Sequence, residues 1–89
     1  MEQLHSAPES LRESGRAMGA LEAALFLTSP AAEVEPFYSA YAWLDRVIAD
    51  GRVTLRARNV PDTHIEIWDN ACRIAFLLST LRERNKNAL

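Results

Sequence analysis

The sequence predicts a mainly α-helical protein: a small bundle of three principal helices, with one short extended segment, at about residues 52–58, between the second and third. Three stretches carry apolar residues at the three- and four-residue spacing of a helix face, whereas residues 52–58 alternate with a period of two. A length of 89 residues without repeats or a Gly/Ser linker indicates a single helical domain over 1–89. We expect residues 1–6 and 86–89 to fray.

The first helix is predicted from about Ala7 to Leu27. Ser6 followed by Glu9 forms a capping box, and Pro8 is tolerated in a first turn. The residue before Pro30 is driven out of the α region, and this ends the helix. The apolar stripe of this helix consists of Leu11, Met18, Leu21 and Leu25.

Two glycines interrupt the first helix at a regular spacing. Gly15, Gly19 and Ala23 follow one another at intervals of four residues. A glycine inside a helix costs about 1 kcal/mol relative to alanine. Either these residues form a groove that another helix backbone or a large side chain approaches closely, or they are tolerated glycines in an alanine-rich helix.

The second helix is predicted from about Pro36 to Ala49. The helix is expected to end at Asp50 and Gly51, because glycine readily adopts the left-handed conformation that often follows a helix. Its apolar positions share one helix face and are Phe37, Ala40, Tyr41, Leu44 and Ile48.

The segment from Arg52 to Arg58 has the pattern of a half-buried strand. Val53, Leu55 and Ala57 alternate with polar residues. A single strand leaves its backbone hydrogen-bonding groups unpaired. We therefore expect the segment either to pair with its counterpart in a second subunit or to be an extended loop.

The third helix is predicted from about His64 to Arg84, after a turn at residues 59–62. Thr63 as the N-cap and Glu66 three residues later repeat the capping box. Its apolar residues form two neighbouring stripes. One stripe has the spacing of a helix–helix seam and contains Ile67, Ala71, Ile74, Leu78 and Leu81. The second stripe contains Ile65, Trp68, Cys72, Ala75 and Phe76.

The third helix has more apolar surface than a small bundle needs. Its two stripes together cover roughly 220° of the circumference, against the roughly 100° that a surface helix normally buries. Either the helix packs between two neighbours as core, or one stripe packs within the subunit and the other meets another subunit. We favour the second interpretation and predict a homodimer, because small chains often gain burial by oligomerising.

The sequence contains no pattern that is typical of an enzyme, a metal site or a cofactor site. Cys72 lies on the apolar side of the third helix, where a thiol is expected to be a packing residue. The metal-binding spacings CxxC and HExxH and the phosphate-binding glycine loops are absent. A dianionic metabolite held between arginines of two subunits is the remaining enzymatic alternative, but the interior acidic and basic residues that it requires are missing. We predict no catalytic residues, no metal and no cofactor.

Arginines in the extended segment favour a second function class. Arg52, Arg56 and Arg58 would share one face of a strand, and arginine binds phosphate and guanine well. A strand pair across a two-fold axis would allow them to enter a nucleic-acid groove. The formal net charge of −2 and the single lysine argue against this function. The arginines would otherwise face solvent or pair with nearby aspartates.

We therefore predict a small regulatory protein-protein interaction module, with nucleic-acid binding through these arginines as the alternative. An apolar helix face would occupy a partner's surface, as in an anti-activator that masks a transcription factor. The three arginines would then form a rim that attracts an acidic partner. The predicted anchors for the partner or for a second subunit are Ile67, Trp68, Ile74, Leu78 and Leu81, with Trp43 and Tyr38 at the edge.

Cysteine content and hydropathy predict a cytoplasmic location. A lone cysteine, Cys72, cannot form an internal disulfide, which is typical of a reducing compartment. No apolar run reaches the roughly 18 residues that a membrane span requires, so we predict no membrane contact.

Overall fold

The computed structural model describes residues 7–34 and 36–88. Within these residues the backbone forms three long helices and one short one, which confirms the mainly α-helical class and the three principal helices. The helices are α1 (Pro8–Leu27), α2 (Ala31–Val34), α3 (Pro36–Ala57) and α4 (Asp62–Ala88). None of these helices is both long enough and apolar enough to cross a membrane.

The bounds of α1 agree with the prediction to within one residue. Its N-cap is Ala7, which makes no side-chain capping hydrogen bond, and Pro8 occupies the first turn. The predicted cap, Ser6, lies outside the described residues. At the other end the hydroxyls of Thr28 and Ser29 donate hydrogen bonds to carbonyls of the last turn, at 3.0 and 2.8 Å. These side chains satisfy carbonyl groups that a helix end leaves without an intrahelical partner.

The glycines of α1 form the contact with α4. A Cβ atom on Gly15 would lie 2.5 Å from the carbonyl oxygen of Trp68 and 2.9 Å from the Cβ of Ala71. On Gly19 it would lie 2.9 Å from the Cβ of Ala75. The groove interpretation of the two glycines is therefore confirmed. Because successive glycines meet successive turns of α4 in the same order, α1 and α4 run parallel.

The predicted strand at 52–58 was wrong, because α3 continues without a break to Ala57. Gly51 does not end the helix. It lies inside it, where a Cβ atom would come within 2.7 Å of Cζ2 of the Trp68 indole. Leu55 packs against the core, so the segment is anchored as helix. Because the amides and carbonyls of this segment form hydrogen bonds within α3, it needs no strand from a second subunit as a partner.

The helix α3 ends at the predicted turn, in a Schellman motif. Asn59 adopts a left-handed conformation with a φ of 64°. The amide of Asn59 donates to the carbonyl of Arg56 at 2.9 Å, and the amide of Val60 donates to the carbonyl of Leu55 at 3.1 Å. Val60 is buried, as the residue after the left-handed position commonly is.

The start of α4 differs from the predicted capping box. The helix begins at Asp62, so Thr63 lies within the first turn. The carbonyl of Pro61 accepts hydrogen bonds from the amides of His64 and Ile65, at 2.9 and 3.0 Å. The far end of α4 extends to Ala88, and the fraying expected at 86–89 stays a prediction. Residues 1–6 and 89 lie outside the described residues.

The core lies between the three long helices and includes the second apolar stripe of α4. Trp68, predicted as an interface anchor, is only 3 % exposed and belongs to this core. That prediction was wrong because the indole fills the space that Gly51 leaves open on α3. The buried apolar residues are Leu11, Ala23, Phe26, Leu44, Ile48, Val60, Ile65, Trp68, Cys72 and Phe76.

Candidate protein-binding surface

The first apolar stripe of α4 remains largely open to solvent. We call its residues, Ile67, Ala71, Ile74, Leu78 and Leu81, the α4 face. Ile74 is 59 % exposed, and Leu78 and Leu81 are each 50 % exposed. In the second stripe Ile65, Trp68, Cys72 and Phe76 are buried. The second stripe therefore packs within the subunit, whereas the described residues leave the first stripe half-exposed at Ile74, Leu78 and Leu81.

A groove of about 590 Å³ runs between the α4 face and α1. Its α4 side contains Ile67, Ala71, Ile74, Ala75 and Leu78, and Ala20 contributes apolar surface from α1. Beside the groove, Gly15 and Gly19 let the backbones of α1 and α4 approach closely. Its shape and apolar lining suit the side chains of an incoming helix.

Three arginines border this groove. Arg12 and Arg16 lie on α1, and Arg82 lies on α4. Arg12 donates a hydrogen bond to Glu9 at 2.6 Å, on the exposed surface. Within residues 7–34 and 36–88, neither Arg16 nor Arg82 forms an ion pair, and none of the residues that line the groove is acidic. The border of the groove is therefore positively charged.

The sequence interpretation missed these arginines as part of the surface. The four-residue spacing of Arg12 and Arg16 places them on one face of α1, and this spacing is visible in the sequence. Their position beside α4 depends on how Gly15 and Gly19 dock, since that contact turns this face of α1 toward the α4 face. Helical spacing alone does not specify which helices are neighbours.

The two aromatic anchors predicted on α3 lie away from the α4 face. Tyr38 is 74 % exposed. Trp43 is half-buried, its indole N–H donates to Oε1 of Glu22 at 2.9 Å, and its ring meets Phe26 edge-on at 5.5 Å. Both line a second shallow groove, formed by α1 and α3 without a residue from α4. The structure therefore does not bring Tyr38 and Trp43 together with Leu78.

Arg52 is held in an ion-pair cluster between α3 and α4. Its Nε and Nη2 donate to Oδ2 of Asp69, at 3.0 and 2.6 Å, and Nη2 also donates to Oε2 of Glu66 at 2.7 Å. Nε of Arg73 donates to the other oxygen of Asp69. The hydrogen bonds to Glu66 and Asp69 raise the pKa of the Arg52 guanidinium. This cluster joins α3 to α4.

The three arginines predicted as one face do not form one. Arg52 and Arg56 are a turn apart on α3, and Arg58 lies beyond its last residue. Arg52 is engaged by Asp69, and Arg56 approaches Asp62 at 3.5 Å. A strand would have placed all three side chains on one face. The helix does not, so the predicted contact of all three with one anionic partner is not supported.

Cys72 is a packing residue, as predicted. Its side chain is fully buried, and its backbone nitrogen and carbonyl oxygen lie against Gly15 and Gly19 of α1. Burial, together with the negative charges of Asp69 and Glu22, raises the pKa of the thiol to about 11. A thiol in this environment stays protonated at neutral pH and lacks the reactivity of a nucleophile.

No protein-family model, curated protein or solved structure matches this chain.

Proposed function

We propose that this protein is a small regulatory module that acts in the cytoplasm by binding another protein through the α4 face. The observation that supports the proposal is the division of α4 into two stripes, one packed inside the bundle and the other exposed at Ile74, Leu78 and Leu81. An apolar patch with a polar border is a common mark of a protein-interaction site.

The length of the α4 face suits a helical partner segment. Ile67 and Leu81 are fourteen positions apart, which corresponds to about 21 Å of helix at 1.5 Å per residue. Fully covering a large apolar side chain stabilises a complex by roughly 1.5–3 kcal/mol, and half-exposed side chains contribute about half of that. Three such side chains in line supply an apolar centre for binding, and the arginines supply its polar border.

The mechanism that we propose is competition. A module that covers an apolar surface of its partner prevents that surface from making its own contacts, which is how an anti-activator would inhibit a transcription factor. The nucleic-acid alternative has no observation in its favour, because Arg52 and Arg56 are engaged with carboxylates. The homodimer stays a prediction.

Charge substitution on the α4 face tests the proposal. In a tagged pull-down from lysate of the source organism, treated with nuclease, we expect the native protein to retain one stoichiometric protein. Leu78→Glu should abolish that retention, because it places a carboxylate in the apolar centre of the contact. The matched control is Val53→Glu, which introduces the same charge at a side chain that is 68 % exposed on α3.

Circular dichroism shows whether both variants keep their helix content, as their exposed positions predict. Equal retention of the partner by the native protein, Leu78→Glu and Val53→Glu would contradict the proposal. So would retention that disappears on nuclease treatment, since nucleic acid would then be the ligand.

A further inference from the structure

We infer that the occupant of the groove between α1 and α4 is an acidic amphipathic helix of another protein, and that it runs antiparallel to both helices. This inference rests on the proposed function and specifies the chemistry of the partner. It is carried by Arg16 and Arg82, which border a mainly apolar groove without an ion pair to any described residue, and in which no lining residue is acidic. Arg12, beside Arg16, is already paired with Glu9.

The arginines lie toward the two ends of the groove. The docking of Gly15 on Ala71 and of Gly19 on Ala75 places Arg16 about level with Cys72 on the α4 axis. Arg82 is ten positions beyond Cys72, or about 15 Å along the helix. An occupant therefore meets positive charge on both sides of its apolar centre, and carboxylates at those positions complement it.

A second copy of this chain does not offer that complement. Consider a two-fold dimer in which the α4 helices of the two subunits pack antiparallel. Arg82 of one subunit then lies toward Arg12 and Arg16 of its partner. An axis parallel to the helices instead brings each arginine toward its own counterpart. In both arrangements like charges meet around the apolar contact, and this disfavours self-association through this face.

The direction of the occupant follows from the two parallel helices. Because α1 and α4 run the same way, their positive N-terminal ends lie at the same end of the groove, the end that holds Arg12. A helix that runs in the opposite sense brings its negative C-terminal end there. It would complete an antiparallel four-helix arrangement, with the occupant on the side of the bundle opposite α3.

The groove predicts a sequence pattern for the occupant. Large aliphatic residues should recur at positions i, i+4, i+7 and i+11, to interdigitate with the α4 face. A pair of acidic residues four positions apart, near the C-terminal end of the segment, should meet Arg12 and Arg16. A further acidic residue about ten positions earlier should reach Arg82.

Two synthetic peptides test the inference. Both are helical, about 18 residues long, with leucine at the apolar positions and a fluorescent label. One carries glutamate at the flanking positions, and the other carries lysine there. Fluorescence anisotropy at low salt should show the glutamate peptide binding about tenfold more tightly than the lysine peptide, and salt should reduce the difference.

Charge reversal of the border provides the matched comparison. The double variant Arg16→Glu/Arg82→Glu should bind the lysine peptide more tightly than the glutamate peptide. Arg46→Glu/Arg58→Glu makes the same change in net charge at exposed positions outside this groove, and should keep the native preference. Circular dichroism verifies that each variant is folded.

Three outcomes overturn the inference. Equal binding of both peptides, lost in Leu78→Glu, would leave the proposed function standing and remove the acidic specificity. An unchanged preference for the glutamate peptide in Arg16→Glu/Arg82→Glu would show that these two arginines do not cause the selectivity. A concentration-dependent dimer that excludes both peptides and becomes a monomer in Leu78→Glu would identify a second copy as the occupant. The proposed function is tested separately by the pull-down, in which equal partner retention by Leu78→Glu and Val53→Glu would contradict it.

Discussion

At the scale of single residues, the buried carboxylate of Asp69 links α3 to α4. Asp69 is nearly inaccessible, yet both of its carboxylate oxygens accept hydrogen bonds from arginines. A buried carboxylate is tolerated only with such partners, because the cost of removing it from water is otherwise uncompensated. Arg52 therefore contributes to stability by holding α3 against α4.

Removal of Arg52 should lower stability more than removal of a neighbouring arginine. Arg52→Ala takes two hydrogen bonds away from buried Asp69, and we expect a loss of about 1.5–3 kcal/mol in the free energy of unfolding. Arg56→Ala breaks only an exposed ion pair to Asp62 and should cost less than about 1 kcal/mol. Urea unfolding measures both variants, and equal losses would contradict the assigned role of Asp69.

Cys72 should make stability depend on pH under alkaline conditions. Burial raises the pKa of its thiol from 9.0 to about 11, so between these values the folded protein retains a proton that the unfolded chain releases. The free energy of unfolding should therefore fall as pH rises from about 9 to 11, at up to about 1.4 kcal/mol per pH unit from this group.

Urea titrations of the native protein and of Cys72→Ala across this range separate the thiol from other groups. The variant should be less stable overall, because it loses a buried sulfur, but its stability should decline less steeply with pH. Parallel declines in the two proteins would contradict the assignment to Cys72.

The burial of Cys72 could be predicted from the sequence, whereas that of Trp68 could not. Cys72 lies in the middle of an apolar stripe, and any close packing of that stripe buries it. Trp68 lies in the same stripe, but a large indole is equally compatible with an exposed anchor. Its burial depends on Gly51 of α3, which the sequence interpretation assigned to a helix end.

At the scale of secondary-structure elements, the contact of α1 with α4 organises the bundle. Gly15 and Gly19 let two parallel helices approach until backbone atoms of α4 occupy the space of a side chain. The four-residue spacing of these glycines was visible in the sequence, but the partner helix was not. This contact also determines which face of α1 borders the groove.

Substitution of Gly19 distinguishes helix propensity from packing. Alanine is favoured over glycine by about 1 kcal/mol in an unobstructed helix. In Gly19→Ala the new Cβ would collide with the Cys72 carbonyl and lie 2.9 Å from the Phe76 amide nitrogen, so we expect a net loss of about 1–3 kcal/mol. Ser14→Ala, at an exposed position on α1, should be neutral or slightly stabilising, and thermal unfolding compares the two. A gain in stability for Gly19→Ala would contradict the close contact.

The mistaken strand at 52–58 shows the limit of a short periodic pattern. Val53, Leu55 and Ala57 alternate in sequence, but on a helix Leu55 points to the side opposite Val53 and Ala57, and Val53 is 68 % exposed. Gly51 was an equally ambiguous signal, because glycine serves both as a helix end and as a site of close approach. The end of α3 was nonetheless visible in the turn that begins at Asn59.

At the scale of the whole molecule, α4 presents two apolar stripes to two different environments. The sequence predicted both stripes, and the structure buries most of one of them and exposes much of the other. The arginine border could not be predicted from helical spacing, because Arg16 and Arg82 are far apart in the chain and become neighbours of one groove only through the docking of α1.

The α4 face is exposed at Ile74, Leu78 and Leu81, and we propose that a partner protein covers it in a complex. The most direct measurement is the rate at which a thiol reagent labels Leu78→Cys, compared with Val53→Cys, in a Cys72→Ala background. Both thiols should react rapidly in the isolated protein, at every protein concentration. In the complex with the retained partner, labelling of Leu78→Cys should slow about tenfold or more, because the bound partner keeps the reagent away from this thiol in most of the molecules. Labelling of Val53→Cys should be unchanged. Equal labelling of both positions in the complex would contradict the proposal that a partner covers the α4 face. Slow labelling of Leu78→Cys before any partner is added would show that this face is already covered.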